Sequence, residues 1–174
     1  MNDYCLALLA TAALSLSAEV SEGQTVTGIE TDFERLSETV AFVPDVPNHV
    51  MVQGTWMWKL KTSDPKIGDG WVTNVEQVES IGDDVKERGH TIAHFTNGDV
   101  LFSKFEGTGK VLPQDKGPPH VILKGSFTWT GGTGTHNLTG HGIYNCEMTS
   151  PPAVQGIDIP GQCNWQGEPK FASQ

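Results

Sequence analysis

Two runs of alternating apolar and polar residues, joined by the dipeptide Asn97-Gly98, constrain the fold of this chain more than any other feature. A period of two is typical of a half-buried strand, because successive side chains point to opposite faces of a sheet. Asn-Gly is the preferred central pair of the tight type I′ turn. Residues 90–105 are therefore predicted to form an antiparallel hairpin.

The turn type also predicts which side chains share a face of this hairpin. If Asn97 and Gly98 are the two loop residues, Thr96 lies opposite Asp99 and the pairing continues outwards from there. One face then carries His90, Ile92, His94, Leu101, Ser103 and Phe105. Both faces mix polar and apolar residues, so the pattern does not decide which one points inwards.

Further strands are predicted on either side of the hairpin, at 49–59, 71–80, 120–130, 138–149 and 163–171, and 107–119 is predicted to be a loop. The 20 glycines and 10 prolines suit a chain with many turns and short strands. Seven or eight such strands indicate a sandwich or a closed barrel, and closure removes exposed sheet edges. We therefore expect an all-β fold, a single small antiparallel β-barrel of about eight strands.

The first part of the chain is different in character. Residues 6–16 are apolar and small residues follow, which is typical of a secretory signal peptide over residues 1–18. Asn2 and Asp3 stand where basic residues are usual, so a buried N-terminal helix is the alternative. Residues 19–48 are interpreted as an N-terminal arm with at most one short strand or helical turn, and residues 49–174 as the barrel domain.

The cysteine count agrees with secretion. Cleavage of a signal would remove Cys5 and leave Cys146 and Cys163. In an oxidising compartment these two are expected to form a disulfide bond, with two buried thiols as the alternative. The predicted location is secreted or periplasmic.

The charge of the chain excludes several classes of partner. Eleven Lys and Arg against 21 Asp and Glu give a formal net charge of −10, which repels nucleic acid and anionic lipid. No run after the signal is apolar enough for membrane insertion. No glycine-rich phosphate loop precedes a helix, so no nucleotide is expected, and we predict no cofactor.

One stretch of the sequence resembles a known family. The run 127–134, Phe-Thr-Trp-Thr-Gly-Gly-Thr-Gly, is followed by Gly-His-Gly-Ile-Tyr at 140–144. This is similar to a turn of allene oxide cyclase-like and dirigent-type barrels, and the Phe-Thr-Asn-Gly-Asp hairpin also looks like those barrels. The resemblance covers residues 50–147 and departs from the usual pattern at His136 and Leu138. It implies an eight-stranded barrel with a cavity, comparable to lipocalin-like barrels, in a family that includes cofactor-free cyclases.

Candidate site residues follow from the predicted hairpin face and from the tryptophans. The expected proton-transfer residues are His90, His94, Ser103, Glu106 and His120, and the expected ligand-binding residues are Trp56, Trp58, Ile92, Leu101, Phe105 and Trp129. His90 and His94 would lie roughly 13 Å apart on one strand, too far to share an ion, so no metal site is predicted. For each of these side chains, exposure to solvent or a structural role in the core is the alternative.

Two functions remain open at this point. The first is a cofactor-free isomerase, cyclase or lyase that acts on a small apolar or aromatic molecule by proton transfer. The second is a non-catalytic carrier for such a ligand. The enzyme is favoured because ionisable groups inside a cavity cost desolvation energy, and a carrier would gain little from such groups. Homo-oligomerisation is left open.

Overall fold

Eight antiparallel strands form a closed barrel in which each strand pairs with its neighbour in sequence and β8 pairs with β1. The computed structural model describes residues 24–149 and 158–172. The strands are β1 (Val26–Phe42), β2 (His49–Thr62), β3 (Gly70–Ile81), β4 (Asp84–Phe95), β5 (Val100–Leu112), β6 (His120–Gly132), β7 (Leu138–Thr149) and β8 (Asp158–Phe171), with a short 3₁₀ helix at Gly134–His136. The all-β, single-barrel prediction is confirmed. The predicted signal at 1–18 lies outside the described residues.

The pairing pattern gives the barrel an interior large enough to hold a ligand. Following paired residues once around the barrel from Val50 leads through Ser80, Val85, Gly109, Leu123, Cys146, Cys163 and Glu30 to Leu60, ten residues further along β2. A stagger of this size requires strongly tilted strands. An eight-stranded barrel of this kind is just wide enough to be filled by side chains or to hold one small ligand.

The predicted N-terminal arm at 19–48 is wrong over most of its length, because β1 is a full barrel strand that pairs with both β2 and β8. Two features hid it from the sequence pattern. Irregularities in its pairing, near Asp32 with φ of 54°, break the period of two. Its inward positions also include polar residues, Glu30, Arg35 and Glu38, where an apolar alternation would be expected.

The hairpin of β4 and β5 forms as predicted, but with a different turn. Phe95 and Asp99 are bonded across it, since the Phe95 N–H donates to the Asp99 carbonyl, so the loop has three residues, 96–98. Gly98 takes a positive φ of 89° at the last loop position, as in three-residue hairpins that end in a glycine bulge. The pairing is shifted by one residue, with His94 opposite Val100 and Thr91 opposite Ser103. The predicted 107–119 loop is correspondingly shorter, because β5 continues to Leu112.

The end of the barrel near this hairpin is closed by side chains from several connections. Ile67, Phe95, His136 and Leu138 are each 4 % exposed or less. The His136 ring stacks on Phe95, and its Nε2 lies 2.7 Å from the carbonyl oxygen of Ile67. These residues cap the interior at this end.

Cys146 on β7 and Cys163 on β8 are paired directly across the two strands, at disulfide-bonding distance, with Cα atoms 4.0 Å apart. The predicted pairing of these two cysteines therefore agrees with the geometry. No helix in the described ranges has the length and apolar character needed to cross a membrane.

Candidate active site

The barrel interior contains a cavity of about 410 Å³, lined by side chains from every strand. The lining is mainly apolar and aromatic: Phe33, Trp56, Trp58, Phe105, Phe127, Trp129, Tyr144 and Trp165 all contribute rings. Five ionisable side chains other than tyrosine interrupt it, namely Glu30, Arg35, Glu38, Glu76 and Glu87. A mostly apolar cavity with a few polar groups is the usual form of a small-molecule site.

Two glycines create the most distinctive contact in the cavity. Glu87, Gly107, Gly125 and Tyr144 lie side by side on β4 to β7, each paired with the next. A Cβ atom at Gly107 would collide with the Tyr144 hydroxyl and lie 2.9 Å from Glu87 Oε1. Because the positions between them on β5 and β6 are glycine, the phenol of Tyr144 on β7 can lie along the wall and reach the carboxyl group of Glu87 on β4. The Tyr144 hydroxyl donates to Glu87 Oε1 at 2.5 Å.

A second carboxyl group lies beside this pair. Glu76 on β3 is paired with Gly89, and Glu87 is paired with Val78, so the two glutamates are diagonal neighbours on the inner face. Gly89 again provides room, because a Cβ there would lie 2.8 Å from Glu76 Cβ and 2.7 Å from the Phe105 ring. The sheet therefore holds two carboxyl groups and one phenol at one place on the cavity wall.

Burial shifts the pKa values of these three groups. Burial raises the pKa of Glu87 from 4.5 to about 7, although the hydrogen bond from Tyr144 offsets part of the increase. Burial, followed by the negative charge of Glu87, raises the pKa of Glu76 well above its ordinary value. Burial and then the Glu87 charge also raise the pKa of Tyr144. Glu87 can thus exchange a proton near neutral pH, and Glu76 holds its proton more strongly than an ordinary glutamic acid.

Glu30 forms a separate acidic point in the cavity. It lies on β1 opposite Cys163, next to the cysteine pair. Burial raises its pKa from 4.5 to about 7. In the described part of the chain its carboxyl makes no hydrogen bond or ion pair, so burial alone accounts for its raised pKa.

Among the described residues, Arg35 is the one cation that lines the cavity, and it is already engaged. Arg35 Nε lies 3.0 Å from Glu38 Oε2, and both side chains are largely buried. The guanidinium carbon also lies 5.0 Å from the centre of the Trp56 ring. Arg35 therefore neutralises Glu38 and packs on Trp56, and no other described residue of the lining offers a cation to Glu30, Glu76 or Glu87.

A short row of polar side chains lies two residues along the strands from Glu76 and its paired neighbours. Asn74, Thr91 and Ser103 are successive pairs on β3, β4 and β5. The Thr91 hydroxyl donates to Asn74 Oδ1 at 2.9 Å. Ser103 is 9 % exposed and lines the cavity, and its hydroxyl makes no hydrogen bond within the described residues.

The structure divides the predicted site residues into two groups. Trp56, Trp58, Leu101, Ser103, Phe105 and Trp129 line the cavity, as expected. His90, Ile92, His94, Glu106 and His120 are not part of its lining. The predicted shared face of the hairpin is wrong, because the three-residue loop shifts the register by one and turns the β4 residues to the opposite side. His90 and Glu106 are exposed. The His94 ring stacks on the exposed ring of Trp71, with 5.5 Å between the ring centres.

Sequence reasoning missed Glu30, Glu76, Glu87 and Tyr144. A signal for Glu76 was present, since it falls in phase with Val72 and Val78, on the side of β3 that turns out to be buried. A charged residue at an apolar position of a strand is costly unless it has a role, so such a position is itself informative.

No protein-family profile matches this chain, and no significant match to it was found among curated proteins or solved structures. The resemblance to allene oxide cyclase-like barrels therefore stays a prediction.

Proposed function

We propose that this protein is a cofactor-free enzyme, an isomerase, cyclase or lyase, that moves a proton on a small apolar or aromatic molecule held in the barrel. The observation that supports this most strongly is the group formed by Glu76, Glu87 and Tyr144 in an apolar cavity. Glu87 serves as the general base and the protonated Glu76 as the general acid. Tyr144 is the positioning residue that orients the Glu87 carboxyl.

The physical argument is the cost of placing these groups where they are. A carboxyl group inside an apolar cavity loses its hydration, and this loss raises its pKa into the range where it can exchange protons at neutral pH. A carrier of apolar molecules would bind them better with a leucine or phenylalanine at the same place. The cysteine pair at disulfide distance supports the further proposal that the protein works in an oxidising compartment, secreted or periplasmic.

The test uses a neutral aromatic probe of carbon-acid chemistry, nitrobenzisoxazole. A base removes the proton on the carbon next to the ring nitrogen, the electron pair forms the nitrile, and the N–O bond breaks to release a coloured cyanophenolate. The wild type should accelerate this reaction, with a rate that rises with pH and has a midpoint near the Glu87 pKa of about 7. Glu87→Gln should lower the rate by roughly 10²-fold or more.

The matched control is Glu106→Gln, which removes an exposed carboxyl from the outer face of β5 and should leave the rate unchanged. His90→Gln and His94→Gln should be equally silent. Equal rates for the wild type and Glu87→Gln would overturn the proposal and leave the carrier function. Circular dichroism of each variant checks that the barrel is intact.

A further inference from the structure

We propose that the ligand of the cavity is a small amine, bound as its ammonium ion against Glu76 and Glu87 with an apolar or aromatic body among the interior rings. This inference names the substrate class of the same cavity and rests on the proposed function for its site.

The first argument is the charge of the lining. In the described ranges, its ionisable groups other than tyrosine are Glu30, Glu38, Glu76 and Glu87 against the single Arg35, and Arg35 is bound to Glu38. Three carboxyl groups on β1, β3 and β4 are left facing the cavity without a cation. A carboxylate or phosphate ligand would be repelled there, whereas an ammonium ion would supply the missing charge and hydrogen-bond donors.

The second argument is the aromatic character of the same cavity. Phe105 and Tyr144 meet edge to face, with ring centres 6.2 Å apart, next to the two glutamates. Phe127, Trp129 and Trp165 form a cluster with centres 4.9 to 5.9 Å apart. Aromatic faces attract organic cations and also pack against apolar ring systems. One cavity therefore offers both halves of an aromatic amine their preferred surroundings.

The third argument is a polar group in the wall that faces the cavity. Ser103 is nine-tenths buried, lines the cavity and has no hydrogen-bond partner among the described residues. On β5, Ser103 lies two positions from Phe105. Phe105 is paired with Gly89 on β4, and Gly89 is in turn paired with Glu76 on β3. Because this hydroxyl faces the cavity, it is available to a polar group of a ligand as a hydrogen-bond partner.

The experiment compares three probes that share one aromatic body: naphthylethylamine, naphthylethanol and naphthylacetate. Isothermal titration calorimetry with the full chain should give the amine an affinity about tenfold or more above that of the alcohol, with the acid weakest. Glu87→Gln and Glu76→Gln should each reduce this preference severalfold and change alcohol binding little. Glu106→Gln, on the outer face, should bind all three probes like the wild type.

Proton release provides a second readout. An ammonium ion favours the ionised form of Glu87, while Glu76 keeps the proton that the proposed function gives it, so amine binding near pH 6.5 should release protons to the buffer, seen as a binding enthalpy that depends on the buffer's ionisation enthalpy. The groups that titrate in the cavity are Glu30, Glu76 and Glu87, beside the neutral phenol of Tyr144 and the Arg35–Glu38 pair. Alcohol binding should release none.

The outcomes separate this inference from the proposed function. Equal affinity for amine and alcohol, tighter binding of the acid, or no binding of any probe overturns the amine inference, whatever the nitrobenzisoxazole result. Selective amine binding without base catalysis supports the amine inference and overturns proton transfer, which would make the protein an amine carrier.

Discussion

At the scale of single residues, the contact between Tyr144 and Glu87 links the sequence most directly to chemistry. The phenol reaches Glu87 only because Gly107 and Gly125 leave the wall open between them. The hydrogen bond keeps the pKa of Glu87 lower than burial alone would make it. The contact between Tyr144 and Glu87 therefore depends on two residues that have no side chain.

Tyr144→Phe should move the pH profile of the site while leaving the barrel folded. Without the phenol hydroxyl, the ionised form of Glu87 loses its donor, so the midpoint of the nitrobenzisoxazole profile should rise above about pH 7. The free energy of unfolding should fall by about 1–3 kcal/mol, more at pH 8 than at pH 6, because only the ionised carboxyl needs the donor. Urea unfolding at both pH values checks this. An unchanged profile midpoint would show that Tyr144 does not position Glu87.

At the scale of elements, the sequence predicted which segments are strands and failed on their register. Alternation identified β2 to β7 because these strands have one apolar face, as in Val50, Val52, Trp56 and Trp58. It could not decide between a two-residue and a three-residue loop at Asn97-Gly98, and this one-residue difference exchanges the two faces of β4. Lining residues on β2 and β5 were found, whereas those on β4 were assigned to the wrong side.

The three-residue loop was selected by contacts that are distant in sequence. The Asp99 carboxylate accepts hydrogen bonds from the Thr135 N–H, the Thr135 hydroxyl and Asn97 Nδ2, and lies 3.1 Å from His136 Nδ1. These bonds join the hairpin to the 3₁₀ helix that follows β6. No local pattern around residue 97 contains this information.

Asp99→Asn should loosen this end of the barrel. Hydrogen bonds from His136, and then from Thr135, lower the pKa of Asp99 from 3.8 to about 2. Its contribution to stability is present above about pH 3.8 and is lost as the pH falls towards about 2. At pH 7 the variant should therefore melt at a lower temperature than the wild type, and the difference should shrink at acid pH. Asp115→Asn, in the exposed loop after β5, is the control, and equal melting of the two variants would contradict the role of Asp99.

At the scale of the whole molecule, the buried glutamates should give the protein an unusual dependence of stability on pH. The pKa values of Glu30 and Glu87 are raised by burial from 4.5 to about 7, and that of Glu76 is raised as well. The folded state therefore binds more protons than the unfolded state between these values. The part of the stability that these protonated carboxyls contribute is fully present below about pH 4.5 and is lost as the pH rises through about 7.

Urea unfolding as a function of pH should show this decrease, on the order of 3 kcal/mol for Glu30 alone. His49 acts in the same direction, because the hydrogen bonds that its ring donates to Asp45 and Glu79 raise its pKa, while the lowered pKa values of Asp45 and Asp99 reduce stability in strong acid. Maximum stability should lie near pH 4 to 5. Glu30→Gln should flatten the alkaline side, and stability that increases from pH 5 to pH 8 would contradict the burial of these carboxyls.

The cap at the hairpin end has a consequence for how a ligand is exchanged. Ile67, Phe95, His136 and Leu138 block that end, and the strands that the structure describes pair all the way around the barrel. Lining residues at the far end of β5, β6 and β7, Val111, Val121 and Met148, keep partial exposure. In the part of the chain that the structure describes, a molecule bound in the cavity would therefore enter and leave through the same end of the barrel. Bulkier side chains at Val111 or Val121 should slow arrival and departure by the same factor and leave the equilibrium affinity almost unchanged.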